Sequence, residues 1–460
     1  MNALVSAVTY LQAQALRGAI RLAPTWFERR LFAFAREAAQ AIAFPQGRRF
    51  VGHMLRALEE ILPKGCPACR RRALENLVVG SITGKMQRVQ YRERTGLQPP
   101  YLLVFSPTMR CNLKCTGCYA FRYGKGDELP YGLLDRVLGE AREMGISFIT
   151  ISGGEPFARP DLLDLYAAHP DMYFQIYTNG TLIGEAEADR LAELGNALPC
   201  ISVEGFQAET DARRGRGTFR RVLAAMAGLR ERGVFFGFSA TATRQNSDLV
   251  VSDEFIRFWH GQGCSVGWYF NYIPIGREPD LSLMPTAAQR LRRRRRLAEV
   301  RERLPILLMD FWNDGPLVGG CMAGGRYYIH INVHGDVEPC VFAQFAVDNI
   351  RTKSLHEVLD SPFFRRIRAR QPYSDNYLRP CMIIDHPQVL REVVRESGAH
   401  PTYEGGHNLL TRCASGLDAI AAEWAEVADR EWVEEGSAAL EEADRRRQDR
   451  PRKRHQVSFP

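Results

Sequence analysis

The stretch that decides the fold and chemistry of this chain is Cys111-Asn-Leu-Lys-Cys115-Thr-Gly-Cys118. It follows the apolar run Tyr101–Phe105, which predicts a strand. Three thiols at CxxxCxxC spacing, in a loop that contains a glycine, can fold round one [4Fe–4S] cluster and leave one of its four irons without a protein ligand. Cys111, Cys115 and Cys118 are therefore candidate catalytic residues and candidate cluster ligands.

Zinc and separate core thiols are the alternatives for these cysteines. Structural zinc takes four ligands and favours paired CxxC units, and no matching pair follows nearby in the sequence. Three cysteines in one short loop are also an unusual way to place thiols in a core. An iron–sulfur cluster whose open iron holds a substrate or cofactor is the favoured interpretation.

The composition indicates a globular protein with reduced thiols. The chain has 460 residues, of which 45% are hydrophobic and 25% charged, as in soluble proteins of several domains. Its eleven cysteines are odd in number, and the N-terminus has no signal-peptide pattern, so we expect a cytoplasmic location. No uninterrupted apolar stretch reaches ~18 residues, so no membrane span is predicted.

The formal net charge of +8 comes mostly from one end of the chain. Residues 445–460 contain seven Lys or Arg and one Asp, which leaves only +2 for everything before them. This tail is expected to be disordered from Arg450 to Pro460, and its charge gives no reason to predict a nucleic-acid partner.

Residues 1–97 are predicted to form a helical region, because apolar residues recur at helical spacing with arginines between them. Packing of these helices on the rest of the protein is the simpler interpretation. A basic amphipathic surface in peripheral contact with the inner face of a membrane is the alternative. The apolar positions are Leu22, Trp26, Leu31, Phe32, Phe34 and Ala35, followed by Val51, Met54, Leu55, Leu58 and Leu62.

From about residue 98 strand-like and helix-like segments alternate, which predicts a parallel sheet covered by helices. Right-handed crossovers would curl such a sheet into a partial barrel with its site at the carboxyl ends of the strands. The six predicted strands are Tyr101–Phe105, Phe148–Ser152, Tyr173–Tyr177, Cys200–Val203, Phe235–Ala240 and Val266–Ile273.

The pattern changes again after the barrel. A helix-like segment at 285–303 contains five consecutive arginines, Arg292–Arg296, which we interpret as a solvated or salt-bridged helix rather than a phosphate site. A hairpin is predicted between Gly319 and Cys340, and a long helix is predicted over 414–447.

The cysteine loop, with Tyr119 after it, resembles the cluster-binding loop of radical S-adenosylmethionine (SAM) enzymes. Further motifs of that family follow in order, each after a predicted strand. The resemblance implies an α/β fold with a partial (β/α)6 TIM-type barrel of radical SAM type at 98–282, behind the N-terminal helical region at 1–97. A cluster-binding extension at 283–413 and a C-terminal helix with a basic tail at 414–460 complete the expected organisation.

The resemblance also assigns SAM-binding residues by motif. A GGEP motif follows the second strand, and its backbone and glutamate would bind the methionine amino group of SAM. A TNG segment follows the third strand. A Ser-x-Glu-Gly stretch after the fourth would face the ribose hydroxyls, and a later arginine would reach the SAM carboxylate. The assigned residues are Tyr119, Gly153, Gly154, Glu155, Pro156, Thr178, Asn179, Ser202, Glu204 and Arg214.

Two details of the match are less regular. Glu204 stands where many members of the family carry an aspartate. The segment Ile273-Pro274-Ile275-Gly276, after the sixth strand, is expected to line the adenine.

The resemblance implies that the protein cleaves SAM reductively. One electron, from a reductant such as ferredoxin or flavodoxin, would enter the cluster and pass into SAM. The resulting 5′-deoxyadenosyl radical would abstract hydrogen from an unactivated C–H bond of a peptide or small-molecule substrate. The alternatives are the same chemistry on a lipid or isoprenoid at a membrane surface, and a non-enzymatic iron–sulfur redox protein.

A second metal site is expected in the extension. Cys321 and Cys340 flank the predicted hairpin in a way that resembles SPASM and twitch extensions, which hold auxiliary clusters, and Cys381 would be a third ligand. The CxxCxxxxxC series of the SPASM signature is missing. One auxiliary [4Fe–4S] cluster is therefore expected, with Cys413, His386 or the substrate as its fourth ligand. A zinc site or separate buried thiols are the alternatives.

The remaining cysteines have several interpretations. Cys66-Pro-Ala-Cys69 is a single CxxC among basic residues, and it could be half of a metal site completed by Cys413, a redox pair, or two inert thiols. Cys200 and Cys264 lie in apolar strand contexts and are expected to be core thiols.

Overall fold

The structure of the protein is a computed structural model. The C-terminal tail lies outside the part that it describes, and so do Leu22 and the side chains of Trp26, Leu31 and Phe34. No helix in the described part is both long and apolar enough to cross a membrane. The described residues are 18, 20, 24–40, 45–120 and 127–448.

A nine-stranded sheet forms the centre of the fold. Its strands are β1 Leu102–Phe105, β2 Phe148–Ile151, β3 Tyr173–Thr178, β4 Ala197–Val203, β5 Gly237–Ala242, β6 Val266–Asn271, β7 Leu307–Asp310, β8 Tyr328–Ile331 and β9 Val337–Glu338. Their spatial order is β7-β6-β5-β4-β3-β2-β1-β8-β9. All neighbours pair in parallel except β8 and β9, which form the predicted hairpin.

Helices connect and cover the strands. A π-helical segment, Ala73–Val79, lies between the third and fourth helices, and β10 Phe345–Ala346 pairs with β11 His400–Pro401 outside the main sheet. The helices are α1 Pro24–Gln40, α2 Pro45–Ile61, α3 Pro67–Arg72, α4 Gly80–Thr95, α5 Tyr131–Glu143, α6 Asp161–Ala168, α7 Glu185–Leu194, α8 Gln207–Arg214, α9 Thr218–Glu231, α10 Asp253–Gly261, α11 Ala287–Arg303, α12 Gly315–Val318, α13 Leu355–Leu359, α14 Pro362–Arg370, α15 Pro387–Ser397 and α16 Ala414–Gln448.

The mostly parallel α/β sheet confirms the predicted fold class, and all six predicted strands are present with bounds shifted by a few residues at most. Three strands of the sheet, β7, β8 and β9, were not predicted as part of it. β7 extends one edge, and β8 adds to the other edge by pairing with β1, with Leu102 opposite Tyr328. The expected boundary at 282/283 is therefore not a break in the sheet.

A buried chain of hydrogen bonds also joins the barrel to the hairpin. Ser106, which follows β1, donates from Oγ to Nε2 of His330 on β8 at 2.7 Å. The other ring nitrogen of His330 donates to Glu338 on β9 at 2.5 Å, and all three residues are almost fully buried. The hairpin is thus attached to the barrel through side chains as well as backbone.

The described N-terminal helices pack on the barrel, as the simpler interpretation expects. Ala57 and Ile61 of α2 are buried, and His53 donates from Nε2 to the carbonyl of Ile306 at 2.9 Å. Burial, together with the charge of Arg301, lowers the pKa of His53 to about 4, so its ring is neutral. Among the described side chains of these helices, Ile82 of α4 is the only large apolar one that is exposed.

The arginine run is salt-bridged, as expected, but part of it is buried. Arg293 pairs with Asp310 of β7 at 2.8 Å, and both side chains are almost completely inaccessible to solvent. The exposed Arg292 pairs with Asp248 at 2.5 Å. The run therefore holds α11 against the sheet on one face and meets solvent on the other.

Candidate active site

One cavity of about 240 Å³ lies at the carboxyl ends of the strands. The structure brings most of the predicted site residues to it, but Glu155, Pro156 and Glu204 are not among the residues that line it. Those that do are Cys111, Cys115, Cys118, Tyr119, Gly153, Gly154, Thr178, Asn179, Ser202 and Arg214.

The cysteine loop is held on two sides. Thr116 donates its backbone N–H to the carbonyl of Arg213 at 3.0 Å. Asn179 donates from Nδ2 to Asn112 Oδ1 at 2.9 Å, and the same group lies 3.8 Å from the sulfur of Cys111. The three thiols thus face the cavity from a loop fixed by the segments after β3 and β4.

Two of these thiols have a raised pKa. Burial raises the pKa of Cys111 to about 11, and it also raises the pKa of Cys118. Such thiols lose their protons when a metal supplies positive charge, so metal binding and deprotonation occur together.

The glycine pair of the GGEP motif allows two segments of the backbone to approach each other closely. Gly154 donates its N–H to the carbonyl of Thr108 at 2.9 Å. A Cβ atom at Gly154 would lie 2.3 Å from the carbonyl oxygen of Arg110, so no larger residue fits. Tyr119 closes this corner, because its hydroxyl lies 2.5 Å from Ser152 Oγ and accepts from the N–H of Gly153 at 3.2 Å.

Glu155 lies at the turn after β3, behind the residues that line the cavity. Its carboxylate is fully buried and accepts hydrogen bonds from Thr178 Oγ1 at 2.6 Å and from the N–H of Asn179 at 2.7 Å. Burial raises the pKa of Glu155, against the opposing effect of these hydrogen bonds. The carboxylate therefore holds the turn after β3 and does not face the cavity. Pro156 begins the 3₁₀ turn behind it.

Glu204 also acts on its neighbours and does not line the cavity. It is almost fully buried and pairs with Arg213 at 2.6 Å and with Arg214 at 2.5 Å. Both arginines line the cavity, and so does Ser202, whose Oγ lies 3.3 Å from that of Ser239. The two guanidinium groups are thus presented to the cavity by one carboxylate.

Sequence reasoning missed an aromatic wall on the far side of the cavity. Trp268 and Phe270 of β6 stack with their ring planes 13° apart, and Tyr177 meets Phe270 edge-on. Phe311 and Phe342 complete the wall. The alternation of Trp268 and Phe270 along one strand could have revealed part of this wall, since residues two apart share a face.

The three cysteines of the extension lie together. Cys321, Cys340 and Cys381 line one small cavity of about 30 Å³. Burial raises the pKa of all three thiols, that of Cys381 to about 12, and the proximity of Cys381 also raises that of Cys321. Tyr328, which lines the large cavity, donates its hydroxyl to the sulfur of Cys340 at 2.9 Å.

Neither protein residue considered as a fourth ligand lines that small cavity. Cys413 lies with Thr116 and Gly276 at a separate surface cavity. His386 donates from Nε2 to the carbonyl of Arg379 at 2.9 Å.

The residues of the segment after β6 have two different roles. Ile273 lines the large cavity, as expected for a residue near the adenine. Gly276 has φ of +75°, and a Cβ atom there would lie 2.2 Å from the carbonyl oxygen of Cys118, so this glycine supports the cysteine loop.

Comparison with known proteins gives two family matches. Residues 105–243 match the model of the radical SAM superfamily, and residues 321–382 match SPASM, an iron–sulfur cluster-binding domain. Mycofactocin maturase MftC of Mycobacterium ulcerans is 32% identical over 295 residues, which are 60% of this chain and 79% of that protein.

Two further relatives show the range of the similarity. The AdoMet-dependent heme synthase of Oleidesulfovibrio alaskensis is 27% identical over 305 residues, covering 59% of this chain and 78% of that protein. The crystal structure of Streptococcus suis SuiB bound to its precursor peptide SuiA superposes with a TM-score of 0.53 at 21% identity, over 62% of this chain and 71% of that one. This structural likeness supports the fold.

The fold and the two groups of thiols define an iron–sulfur enzyme built on a parallel α/β barrel. The chain belongs to the radical SAM superfamily and carries a SPASM domain. Its cofactors are a [4Fe–4S] cluster with SAM and an auxiliary iron–sulfur cluster. The residues present fit both groups, because each cavity gathers three thiols, the ligands that such clusters take.

Proposed function

We propose that this radical SAM enzyme abstracts hydrogen from an apolar or aromatic side chain of a peptide. The observation that carries the proposal is the continuity of the large cavity. It runs from the cysteine loop, past Ser202 and Arg214, to the aromatic wall and Tyr328. A substrate side chain that lies against this wall has the SAM-binding residues on one side and the auxiliary cysteines behind Tyr328 on the other.

The charges of the cavity favour such a side chain over a tetrapyrrole. Among the described residues that line the cavity, Arg213 and Arg214 are the only cationic ones, and both pair with Glu204. A tetrapyrrole carries several carboxylates that need cationic partners.

The names of the relatives support two substrate classes, a peptide and a tetrapyrrole. Mycofactocin maturase and SuiB with its precursor peptide favour a peptide, whereas the heme synthase favours a tetrapyrrole. A lipid is less well supported, because Phe32 of α1 is buried and Leu55 and Leu58 of α2 pack against the core.

The proposed roles of the site residues follow from their positions. Cys111, Cys115 and Cys118 would hold the cluster, which together with SAM supplies a 5′-deoxyadenosyl radical when reduced by a ferredoxin or flavodoxin. Arg214 would bind the SAM carboxylate, and Ser202 the ribose hydroxyls. The backbone of Gly153 and Gly154 would bind the methionine amino group, while Tyr119 fixes that backbone.

Two residues act through others in this proposal. Glu155 orients Thr178 and Asn179, and Glu204 orients the arginines. Cys321, Cys340 and Cys381 would hold one auxiliary cluster. It would take an electron from the substrate radical or pass one to it.

The proposal is tested by measuring which deuterated probe transfers deuterium to 5′-deoxyadenosine. Reconstituted, reduced protein is incubated with SAM and one of three deuterated probes: peptides with aromatic and aliphatic side chains, an iron coproporphyrin, or an isoprenoid in vesicles. Deuterium in 5′-deoxyadenosine from the peptides alone is the expected result, and Cys115→Ala is the matched control. Transfer from either other probe contradicts the peptide assignment. If a fully loaded cluster forms no 5′-deoxyadenosine at all, the enzymatic reaction itself is disproved.

A further inference from the structure

A pair of cysteines lies at the opposite end of the barrel from the active-site cavity. Cys66 donates its backbone N–H to the carbonyl of Gly233, ahead of β5, at 2.8 Å. The backbone at Cys69 packs on Gly195, ahead of β4, where an added Cβ would lie 2.8 Å from the Cys69 nitrogen. These are amino ends of strands, whereas the radical chemistry belongs to the carboxyl ends. The pair is therefore separate from the site already described.

The Cys66 sulfur contacts the backbone of Cys69. Cys66 immediately precedes α3, and its sulfur accepts a hydrogen bond from the backbone N–H of Cys69 at 3.4 Å. The Cys66 sulfur also lies 3.5 Å from the carbonyl oxygen of Ala192. Cys66 is the N-cap residue of α3 and has an extended backbone, and Cys69 follows in the first turn of that helix. This is a Cys-X-X-Cys arrangement at a helix start, in which the two cysteines can form a disulfide.

The two thiols are unequal in access and acidity. Cys66 is partly exposed, whereas Cys69 is only 1% exposed. The hydrogen bond from Cys69 lowers the pKa of Cys66 to about 6, while the same interaction and burial raise the pKa of Cys69. An accessible thiolate beside a buried thiol is the arrangement of an attacking cysteine and a resolving cysteine.

One alternative for this pair, a metal site completed by Cys413, is wrong. Cys413 lies at the carboxyl end of the barrel, beside Thr116 and Gly276. Within the described ranges, no group of three or more Cys, His, Asp or Glu side chains could hold a single metal ion here. Two thiols without further ligands favour redox chemistry of sulfur over metal binding.

We propose that Cys66 and Cys69 form a dithiol–disulfide exchange site whose substrates are low-mass or protein disulfides. The Cys66 thiolate attacks one sulfur of the incoming disulfide, forms a mixed disulfide and releases one thiolate, which takes up a proton. Cys69 then loses its proton and attacks the Cys66 sulfur, which releases the second thiol. The dithiol loses two electrons and two protons, and the incoming disulfide gains both. This activity goes beyond the proposed function and does not rest on it.

Peptide mapping can follow this exchange in the complete, cluster-loaded protein. The protein is equilibrated anaerobically over a series of reduced-to-oxidised glutathione ratios, and in parallel with oxidised thioredoxin. Free thiols are then alkylated. Trypsin cleaves after Lys64 and Arg70, so the peptide 65–70 contains both cysteines and no others. We expect it to change from the doubly alkylated form to an unalkylated disulfide, two hydrogens lighter than the free dithiol, in one two-electron step, while Cys264 stays reduced.

The variants separate exchange from simple oxidation. In Cys69→Ser the mixed disulfide of Cys66 with glutathione cannot be resolved, so it should accumulate at least tenfold over the wild-type protein. In Cys66→Ser the buried Cys69 should capture no glutathione. Circular dichroism shows whether each variant is folded. The titration of the wild-type protein tests the proposal even if the variants do not fold.

Three results would overturn the proposal. The first is a peptide that remains doubly alkylated at every glutathione ratio and with thioredoxin. The second is equal accumulation of the mixed disulfide in the wild-type protein and in Cys69→Ser. The third is oxidation of the deeply buried Cys264 in step with the pair, since that would show general unfolding. Reaction with thioredoxin but not glutathione, or the reverse, identifies the source of the disulfide and supports the proposal.

Discussion

Two buried carboxylates hold the SAM-facing side of the cavity in place. Glu155 accepts from Thr178 and Asn179, and Glu204 pairs with Arg213 and Arg214. Their surroundings have low polarity, where ion pairs and hydrogen bonds are stronger than in water and a missing partner is costly. The residues that would touch SAM are therefore positioned before it binds.

Replacement of Arg214 by glutamine should weaken SAM binding about ten- to hundredfold. A charge-assisted hydrogen bond to the SAM carboxylate contributes roughly 1.5–3 kcal/mol, and glutamine cannot replace that charge. Equilibrium binding of SAM to cluster-loaded protein measures the effect. The exposed Arg216, two residues further on, provides the matched control Arg216→Gln, which should bind SAM normally. Equal losses in both variants would contradict the assigned role.

Replacement of Tyr328 by phenylalanine should lower the reduction potential of the auxiliary cluster by about 40–60 mV. The hydroxyl donates to Cys340, and a hydrogen bond to a cluster sulfur favours the reduced, more negative form by about 1 kcal/mol. A redox titration monitored by electron paramagnetic resonance measures the potential.

Tyr373 provides the control for that experiment. Its hydroxyl lies near the same cysteines but bonds to Gln371 and Met382. Tyr373→Phe should therefore shift the potential much less. A Tyr328→Phe variant whose auxiliary cluster keeps the wild-type potential would show that this hydrogen bond does not act on the cluster.

At the scale of elements, the arginines of α11 show how position decides the energetic effect of an ion pair. Arg293 and Asp310 are buried, while Arg292 and Asp248 are more than half exposed. Solvent screens the exposed pair, so it contributes little. Loss of one buried partner leaves an uncompensated charge in the interior.

Arg293→Met should destabilise the protein by about 3–5 kcal/mol, whereas Arg292→Met should cost less than about 0.5 kcal/mol. Urea denaturation followed by circular dichroism compares the two variants with the wild-type protein. Similar effects of the two substitutions would mean that the buried pair is not a main contact between α11 and β7.

The difference between the wild-type protein and Arg293→Met should shrink in acid. Burial alone would raise the pKa of Asp310, but Arg293 and Asn313 outweigh it and lower that pKa. A carboxyl group whose folded pKa lies below its unfolded value, about 3.9, stabilises the fold above that value and loses this effect as the pH falls through the folded pKa. Denaturation curves at pH 7 and at pH values below about 4 test this. A constant difference would argue against the pair.

The elements show what local sequence patterns can predict. The six strands and the long C-terminal helix follow from apolar runs and helical periodicity, so the sequence predicts them well. The pairing of β8 with β1 depends on contacts between residues more than 200 positions apart, which no local pattern encodes. The position of Trp268 on a predicted barrel strand is enough to predict that it lies near the site. Phe342 and Tyr328 reach the cavity from the extension, so the barrel pattern does not predict them.

At the scale of the whole molecule, the two groups of cysteines line different cavities. Cys115→Ala should abolish SAM cleavage, because the first cluster loses a ligand. Cys340→Ala should lower the iron content and leave the spectrum of the first cluster visible. Iron analysis and electron paramagnetic resonance measure both effects.

Cys264→Ala is the control for these variants, since its thiol lies in the core, away from both cavities. It should keep the full iron content. An unchanged iron content in Cys340→Ala would contradict an auxiliary cluster held by this cysteine.

The pairing of β8 with β1 makes the barrel and the auxiliary cysteines move as one body. A spacing set by a continuous sheet would keep the distance between the two groups of cysteines the same before and after substrate binding. A hinge between the two parts would also open the sheet, which requires breaking backbone hydrogen bonds. Entry of a substrate would therefore depend on movement of the loops around the cavity and not on a hinge between the barrel and the extension.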